Sequence, residues 1–340
     1  MAQAMSEFDH RYNMLIERFA SEPEPAFETE EEQAFTWGRP KGSPWGCTDD
    51  VGRLRLVLMH RPGEEMKVVD DLPYIPELDA FGDPKTGAYW RGDVRPTLEE
   101  QQAQHDALVT ALRGEGVEVA FMKRAAAGRH KTIYTRDSAI AVGGGMIVTR
   151  MGPRIRRGEE APVTETLAAL GAPILRTIHG TGLVEGGSFA WIRPGVAVIG
   201  ISSRVNEEGA RQVEEVLATQ GARLIRVQIP GYRLHIDGAL VMLDHDVALV
   251  NPVILPFVFM QELRRLGVRM IPLNHEDPSW AINCLAVRPG RVLMSDRVGP
   301  RTQDALDKAG IGIRLVAYDR VYLGGGGIHC STCPLVRDPA

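Results

Sequence analysis

Gly116-Val117-Glu118-Val119-Ala120-Phe121 is a glycine followed at once by a short apolar strand, and the 340-residue chain returns to that pattern four more times. The other instances are Gly171-Ala172-Pro173-Ile174-Leu175, Gly221-Ala222-Arg223-Leu224-Ile225, Gly267-Val268-Arg269-Met270-Ile271 and Gly310-Ile311-Gly312-Ile313-Arg314-Leu315. Each follows a stretch with helical spacing of apolar residues, so the glycine reads as the helix stop. Before each of the last four helices lies another strand: Met146-Ile147-Val148, Val196-Ala197-Val198-Ile199, Val247-Ala248-Leu249-Val250 and Val292-Leu293-Met294. The glycines recur 43 to 55 positions apart, a period that marks repeats or propellers. One unit cannot bury its apolar faces alone. With Leu54 to Phe121 counted as the first, five strand-strand-helix-strand units predict an α/β fold closed into a five-bladed ring around a central site. The competing architecture is a doubly wound sheet. It needs one strand between successive helices, whereas this sequence supplies a pair.

Outside the repeat, Leu54-Arg55-Leu56-Val57-Leu58-Met59 predicts a buried strand ended by Pro62-Gly63. Thr97-x-x-Glu100 is a capping box for a helix to about Arg113. Asp70 to Pro96, rich in turn formers and aromatics, predicts a long loop, and Tyr89-Trp90-Arg91-Gly92-Asp93 within it is a candidate lid. The acidic, proline-punctuated Glu22–Glu32 predicts a solvated arm, so residues 1–50 are expected to precede a single domain spanning 51–340.

Composition narrows the function classes. A net charge of −5 gives no reason to expect a nucleic-acid partner. No apolar run reaches the roughly 20 residues of a membrane span, and the start lacks the basic and apolar regions of a signal peptide. Four cysteines, Cys47, Cys284, Cys330 and Cys333, are too few for a disulfide framework, so a cytoplasmic location is expected.

Four motifs sit where strands of the repeat begin or end: Tyr134-Thr135-Arg136-Asp137, Val184-Glu185-Gly186-Gly187, Leu234-His235-Ile236-Asp237, and Gly324-Gly325-Gly326-Gly327-Ile328-His329-Cys330-Ser331-Thr332-Cys333. Taken singly, each has an ordinary reading as an ion pair, a turn, a core histidine or a buried thiol. A redox role for Cys330 and Cys333 would place them after an early strand and at the opening of a helix, and a zinc site would need a second ligand pair. Taken together they meet one chemical requirement. Carboxylates grip and orient a planar guanidinium, a thiolate attacks its carbon, and an imidazole manages the protons.

On these motifs the sequence resembles the guanidine-modifying (pentein) superfamily of arginine deiminases, dimethylarginine dimethylaminohydrolases and amidinotransferases. The resemblance runs from Val51-Gly52-Arg53-Leu54-Arg55 to Pro334. It implies a five-bladed αβ propeller, Cys330 as nucleophile, His235 as general acid and base, and Asp137 and Glu185 as the guanidinium-binding carboxylates. Asp237, Arg204, Tyr134 and Arg136 are then substrate-binding residues, with Arg204 placed to meet a substrate carboxylate. It implies a small guanidino substrate, no metal or organic cofactor, and at family level a homo-oligomer. The subgroup is open. The chain has no room for the helical insertion of arginine deiminases, and its Gly-Gly-Gly-x-His-Cys-x-Thr-Cys is similar to amidinotransferases. Glu185-Gly186-Gly187 is the hydrolase form. The leading expectation is a hydrolase releasing a ureido product through a covalent thiouronium. An amidinotransferase and a catalytically silent guanidine binder are the alternatives.

Overall fold

The computed structural model describes residues 45–339, apart from 96 and 232. The acidic stretch Glu22–Glu32 lies outside the described residues. The first strand, β1 (Leu54–Met59), is buried along most of its length, as its apolar run demands. Where a long loop is expected, the chain instead builds a small antiparallel sheet from β2 (Tyr74–Ile75), β3 (Ala80–Asp83) and β4 (Ala88–Arg91). The reason is alternation: Ala88 and Trp90 face inward while Tyr89 and Arg91 face the other way. Helix α1 (Leu98–Gly114) starts at the expected box, with the Thr97 hydroxyl accepting from Glu100 N at 3.1 Å and the Glu100 carboxylate accepting from Thr97 N at 2.8 Å.

After α1 comes β5 (Glu118–Phe121), and four units of one topology follow. They are β6 (Ala139–Val142), β7 (Gly145–Val148), α2 (Glu160–Leu170) and β8 (Ile174–Thr177); then β9 (Phe189–Arg193), β10 (Val196–Ile201), α3 (Glu207–Thr219) and β11 (Arg223–Gln228). Next are β12 (Leu240–Asp244), β13 (Val247–Val250), α4 (Phe257–Arg265) and β14 (Arg269–Pro272); then β15 (Leu285–Arg288), β16 (Arg291–Ser295), α5 (Pro300–Lys308) and β17 (Gly312–Val316). In each, the first two strands form an antiparallel hairpin, and the helix crosses over to lay the third strand parallel to the second. The five helix-stop glycines Gly116, Gly171, Gly221, Gly267 and Gly310 all adopt φ between 68° and 83°, the left-handed turn a side chain resists.

The first unit is completed from the far end of the chain. After a short α6 (Asp319–Tyr322), β18 (Cys333–Arg337) pairs antiparallel with β1, which pairs parallel with β5. The β18–β1–β5 sheet therefore has the topology of the other four. The middle strands carry fully buried aliphatics such as Val57, Ile147, Val198, Leu249 and Leu293, and each helix packs an apolar face on them, as Leu108 and Leu112 of α1 do beside Val57 and Val316. Residues ahead of β1 join this packing, since Trp45 and Cys47 are buried and Gly46 N donates to Leu335 O at 2.9 Å. No helix among the described residues is long and apolar enough to cross a membrane.

Candidate active site

Each unit presents a short turn just before its first strand. The turns Thr135–Ser138, Gly186–Ser188, Ile236–Gly238 and Ser279–Ile282 lead into β6, β9, β12 and β15, and Cys330 stands three residues before β18. These equivalent places deliver Asp137, Glu185, His235 with Asp237, Asn283 and Cys330. A cavity of about 320 Å³ is lined by Asp137, His235, Asp237, Asn283 and Cys330, together with Tyr134, Arg204 and the glycine run. The small residues are required there. A Cβ on Gly326 would stand 2.6 Å from the Tyr134 ring and 2.9 Å from Cys330 Cβ, and one on Gly187 would stand 2.7 Å from Asp137 Oδ1 and 2.8 Å from His235 Nδ1.

Cys330 is held from two sides. Its Sγ lies 3.2 Å from Asn283 Nδ2 and 3.3 Å from Asp237 Oδ2, and its backbone N–H donates to Asn283 Oδ1 at 3.1 Å. Asn283 Nδ2 also reaches Asp237 Oδ2 at 3.3 Å, and the same oxygen accepts from His329 Nδ1 at 2.9 Å. Burial pushes the Cys330 thiol well above its ordinary pKa, and the charges of Asp237 and Asp137 push the same way. Burial also opposes ionisation of Asp237, but the hydrogen bond and charge of His329 outweigh it and hold that carboxyl below its usual value.

His235 sits between two carboxylates. Its Nε2 is 2.7 Å from Glu185 Oε2 and its Nδ1 is 3.5 Å from Asp137 Oδ1. Burial pulls the imidazole down, yet Asp137 and Glu185 together leave its pKa raised. Glu185 is buried, which would raise it. The His235 hydrogen bond with the charges of His235, Arg156 and Arg204 lowers it to about 2. Glu185 thus has its oxygens occupied by His235, by Arg204 Nη1 at 3.0 and 3.1 Å, and by Gly152 N at 3.1 Å. Glu185, expected to grip the guanidinium, is not among the cavity-lining residues.

Nothing in the sequence marks Arg156 as special. It lies in Arg154-Ile155-Arg156-Arg157, which reads as a solvated charge run. The structure buries it, with Nη1 on Asp137 Oδ2, Nη2 2.7 Å from Glu159 Oε2 and 3.2 Å from Tyr134 O. Asn283 was missed as well, although its place in the fourth unit matches those of the motifs in the others. Tyr134 lines the cavity and donates from its hydroxyl to Val321 O at 2.7 Å. Arg136 does not line the cavity. Its guanidinium is 3.6 Å from Asp50 Oδ1, and it borders a separate small void with Cys47 and Asp50. Cys333 is buried, with burial pushing its thiol up to about 12, and all four cysteines are free. The lid candidates Tyr89 and Arg91 line the cavity from the small sheet, Arg91 Nη1 donating to the Tyr322 hydroxyl at 2.7 Å.

Asp137, Glu185 and His235 offer ligand atoms within 4.8 Å of one another, a spacing that admits a metal ion. Two of the three already hold guanidiniums, from Arg156 and Arg204. A further cation there would meet positive charge.

The family model described as arginine deiminase matches residues 130–266 and 258–337. The chain belongs to the arginine deiminase family, within the pentein superfamily. Arginine deiminase of Limosilactobacillus reuteri is 23% identical over 406 aligned positions, covering 87% of this chain and 98% of that protein. That alignment is longer than this chain, so the relative carries segments absent here. Dimethylarginine dimethylaminohydrolase of Pseudomonas aeruginosa is 27% identical over 69% of this chain and 89% of its own. A solved structure of the Pseudomonas aeruginosa enzyme with citrulline bound aligns at TM-score 0.67 and 24% identity, covering 83% of this chain and 99% of its own. An amidinotransferase from Microseira wollei aligns at TM-score 0.68 and 18% identity, covering 87% and 98%. At those identities the solved structures speak to the mixed α/β fold alone.

Proposed function

We propose that the chain is a cysteine-dependent hydrolase of a small guanidino compound, with Cys330 as nucleophile. The observation that carries the reading is one cavity lined by a thiol, an imidazole and two carboxylates, each delivered by an equivalent turn of the repeat. Family membership and the hydrolase relatives support it. Asp137 and Asp237 take the guanidinium N–H groups. Burial holds Cys330 protonated with help from the two carboxylates, whose charge the guanidinium offsets, so substrate binding favours loss of the thiol proton to water. The Sγ–C bond then forms. His235, kept cationic by Asp137 and Glu185, gives its proton to the departing amine, which leaves ammonia or an alkylamine and a thiouronium on Cys330. Neutral His235 next takes a proton from water, the hydroxide adds to the carbon, and C–S cleavage, with the hydroxyl proton passing to the departing sulfur, releases a ureido product and the Cys330 thiol. Asn283 orients Cys330 through both its backbone and its sulfur. No step calls on a metal or organic cofactor.

The five sheets of like topology, with β18 completing the unit begun by β1, support a closed five-bladed αβ propeller. That propeller is one domain, and its packing takes in Trp45 and Cys47 ahead of the expected start at residue 51. The second reading is an amidinotransferase, in which an acceptor amine replaces water at the same thiouronium. It is favoured by the Gly-Gly-Gly-x-His-Cys run and by a fold shared with such enzymes. An end-point mass assay with guanidino substrates, with and without glycine or ornithine, separates the two. A ureido product without acceptor supports hydrolysis, and a new guanidine that requires the acceptor replaces it with transfer.

A further inference from the structure

The charges around the cavity are sorted by position. Among the described residues its only lining carboxylates are Asp137 and Asp237, and both lie at the inner end, beside His235 and Cys330. The lining also contributes five basic side chains: Arg156, which pairs with Asp137 at the inner end, and Arg91, Lys131, Arg204 and Arg233. Arg156 is matched by Asp137 and the buried Glu159, and Arg204 by the buried Glu185. Arg91 has a neutral partner, the Tyr322 hydroxyl, and lies 5.2 Å from that ring's centroid.

Lys131 is the decisive residue. It is buried, and its Nζ donates to Tyr89 O at 3.0 Å and to Gly324 O, while lying 3.6 Å from the centroid of the Tyr89 ring. Two carbonyls and an aromatic face are what a bound ammonium needs. Here the chain's own amine occupies them. A substrate ammonium in this cavity would find those carbonyls taken and only cations beyond the guanidinium-binding end. A carboxylate would find the reverse: Lys131, Arg91 and the rim Arg233 have donors and no carboxylate among the cavity-lining residues outside the inner end.

We infer that the cavity selects ω-guanidino carboxylic acids that lack an α-ammonium group, in preference to α-amino acids such as arginine. This inference rests on the hydrolase reading above and names the substrate class for that site. The guanidinium enters toward Cys330, and the carboxylate end faces Lys131 and Arg91. Burial, with Arg156, Arg91 and Arg204 nearby, already pulls the Lys131 amine well below its ordinary pKa, so an anion at this wall supplies the missing countercharge.

The test compares kcat/KM for guanidinoacetate, 3-guanidinopropionate, 4-guanidinobutyrate, arginine and agmatine, reading ureido product by mass. At least one guanidino acid should exceed arginine by about 30-fold or more, because unpaired buried polar groups discriminate at that scale. Agmatine, cationic at its far end, should be slowest. Arg91→Met should raise KM for the preferred acid with little change in kcat, and Lys131→Met should narrow its margin over arginine. Arginine or agmatine matching the acids would overturn the inference while leaving hydrolysis intact, as would unchanged KM and unchanged preference in both variants. If no guanidine yields a ureido product, the hydrolase reading falls and the inference with it.

Discussion

Gly187 is where an added methyl would meet Asp137, His235 and Asp237 at once. Gly187 N donates to Asp137 Oδ1 at 3.0 Å, and an added Cβ would lie 2.7 Å from that oxygen, 2.8 Å from His235 Nδ1 and 3.2 Å from Asp237 Oδ2. Carbon sits about 3.5 Å or more from such atoms at ordinary contact. Gly187→Ala must therefore displace Asp137 and His235 by most of an ångström. Overpacking of this kind costs about 1–3 kcal/mol of stability. A misplacement of about 1 Å in a reacting geometry costs on the order of 100-fold in rate. The expected result is a folded protein whose urea midpoint falls modestly and whose kcat/KM on its best guanidino substrate falls about 100-fold. Circular dichroism melts and a ureido-product assay on the same preparation measure both. Activity within about threefold of the parent would refute the claim that Asp137, His235 and Asp237 converge on the reacting group.

Three other expectations follow from the same geometry. Asn283→Ala removes the amide that meets both the Cys330 backbone and its sulfur, so kcat should fall about 10- to 100-fold, equivalent to about 1–3 kcal/mol, with KM little changed. Arg156→Met strips the guanidinium from buried Asp137 and Glu159, and urea unfolding should show a loss of about 3–5 kcal/mol; a loss below about 1 kcal/mol would contradict the assigned pairing. The raised Cys330 pKa predicts that iodoacetamide inactivates the free protein slowly at neutral pH, with a rate still climbing above pH 9. A saturating guanidinium ligand that leaves Sγ reachable should shift that curve to lower pH, and a free-enzyme plateau below pH 8 would be inconsistent.

What the sequence made legible followed from local rules. Gly116, Gly171, Gly221, Gly267 and Gly310 announce helix ends because the left-handed turn excludes most side chains, and the structure places every one of them there. Cys330, His235, Asp137 and Asp237 could be gathered because each lies at the same point of the repeat. Asn283 was readable by that same logic, but an asparagine among apolar residues carries no chemical flag of its own. The partner of β1 was not readable, because β18 lies almost the full chain away and no local pattern encodes that pairing. Arg156 and Lys131 look like surface charge in one dimension, and only burial against Asp137, Glu159 and two carbonyls reveals them. Arg136, adjacent to Asp137 in sequence, turns toward Asp50 because successive residues of the turn face different sides. The small sheet carrying Tyr89 and Arg91 was obscured by flanking prolines and glycines, although the alternation of Ala88 to Arg91 already marked a strand.

The proposed reaction turns on a guanidino carbon becoming bonded to Cys330. Acid-quenched intact-protein mass spectrometry, taken during turnover of the best substrate and followed by peptide mapping, tests it most directly. An amidino adduct is expected on the peptide holding Cys330, decaying to ureido product, with neither adduct nor product from a folded Cys330→Ala protein. Turnover with no adduct, or near-normal turnover by Cys330→Ala, would contradict it.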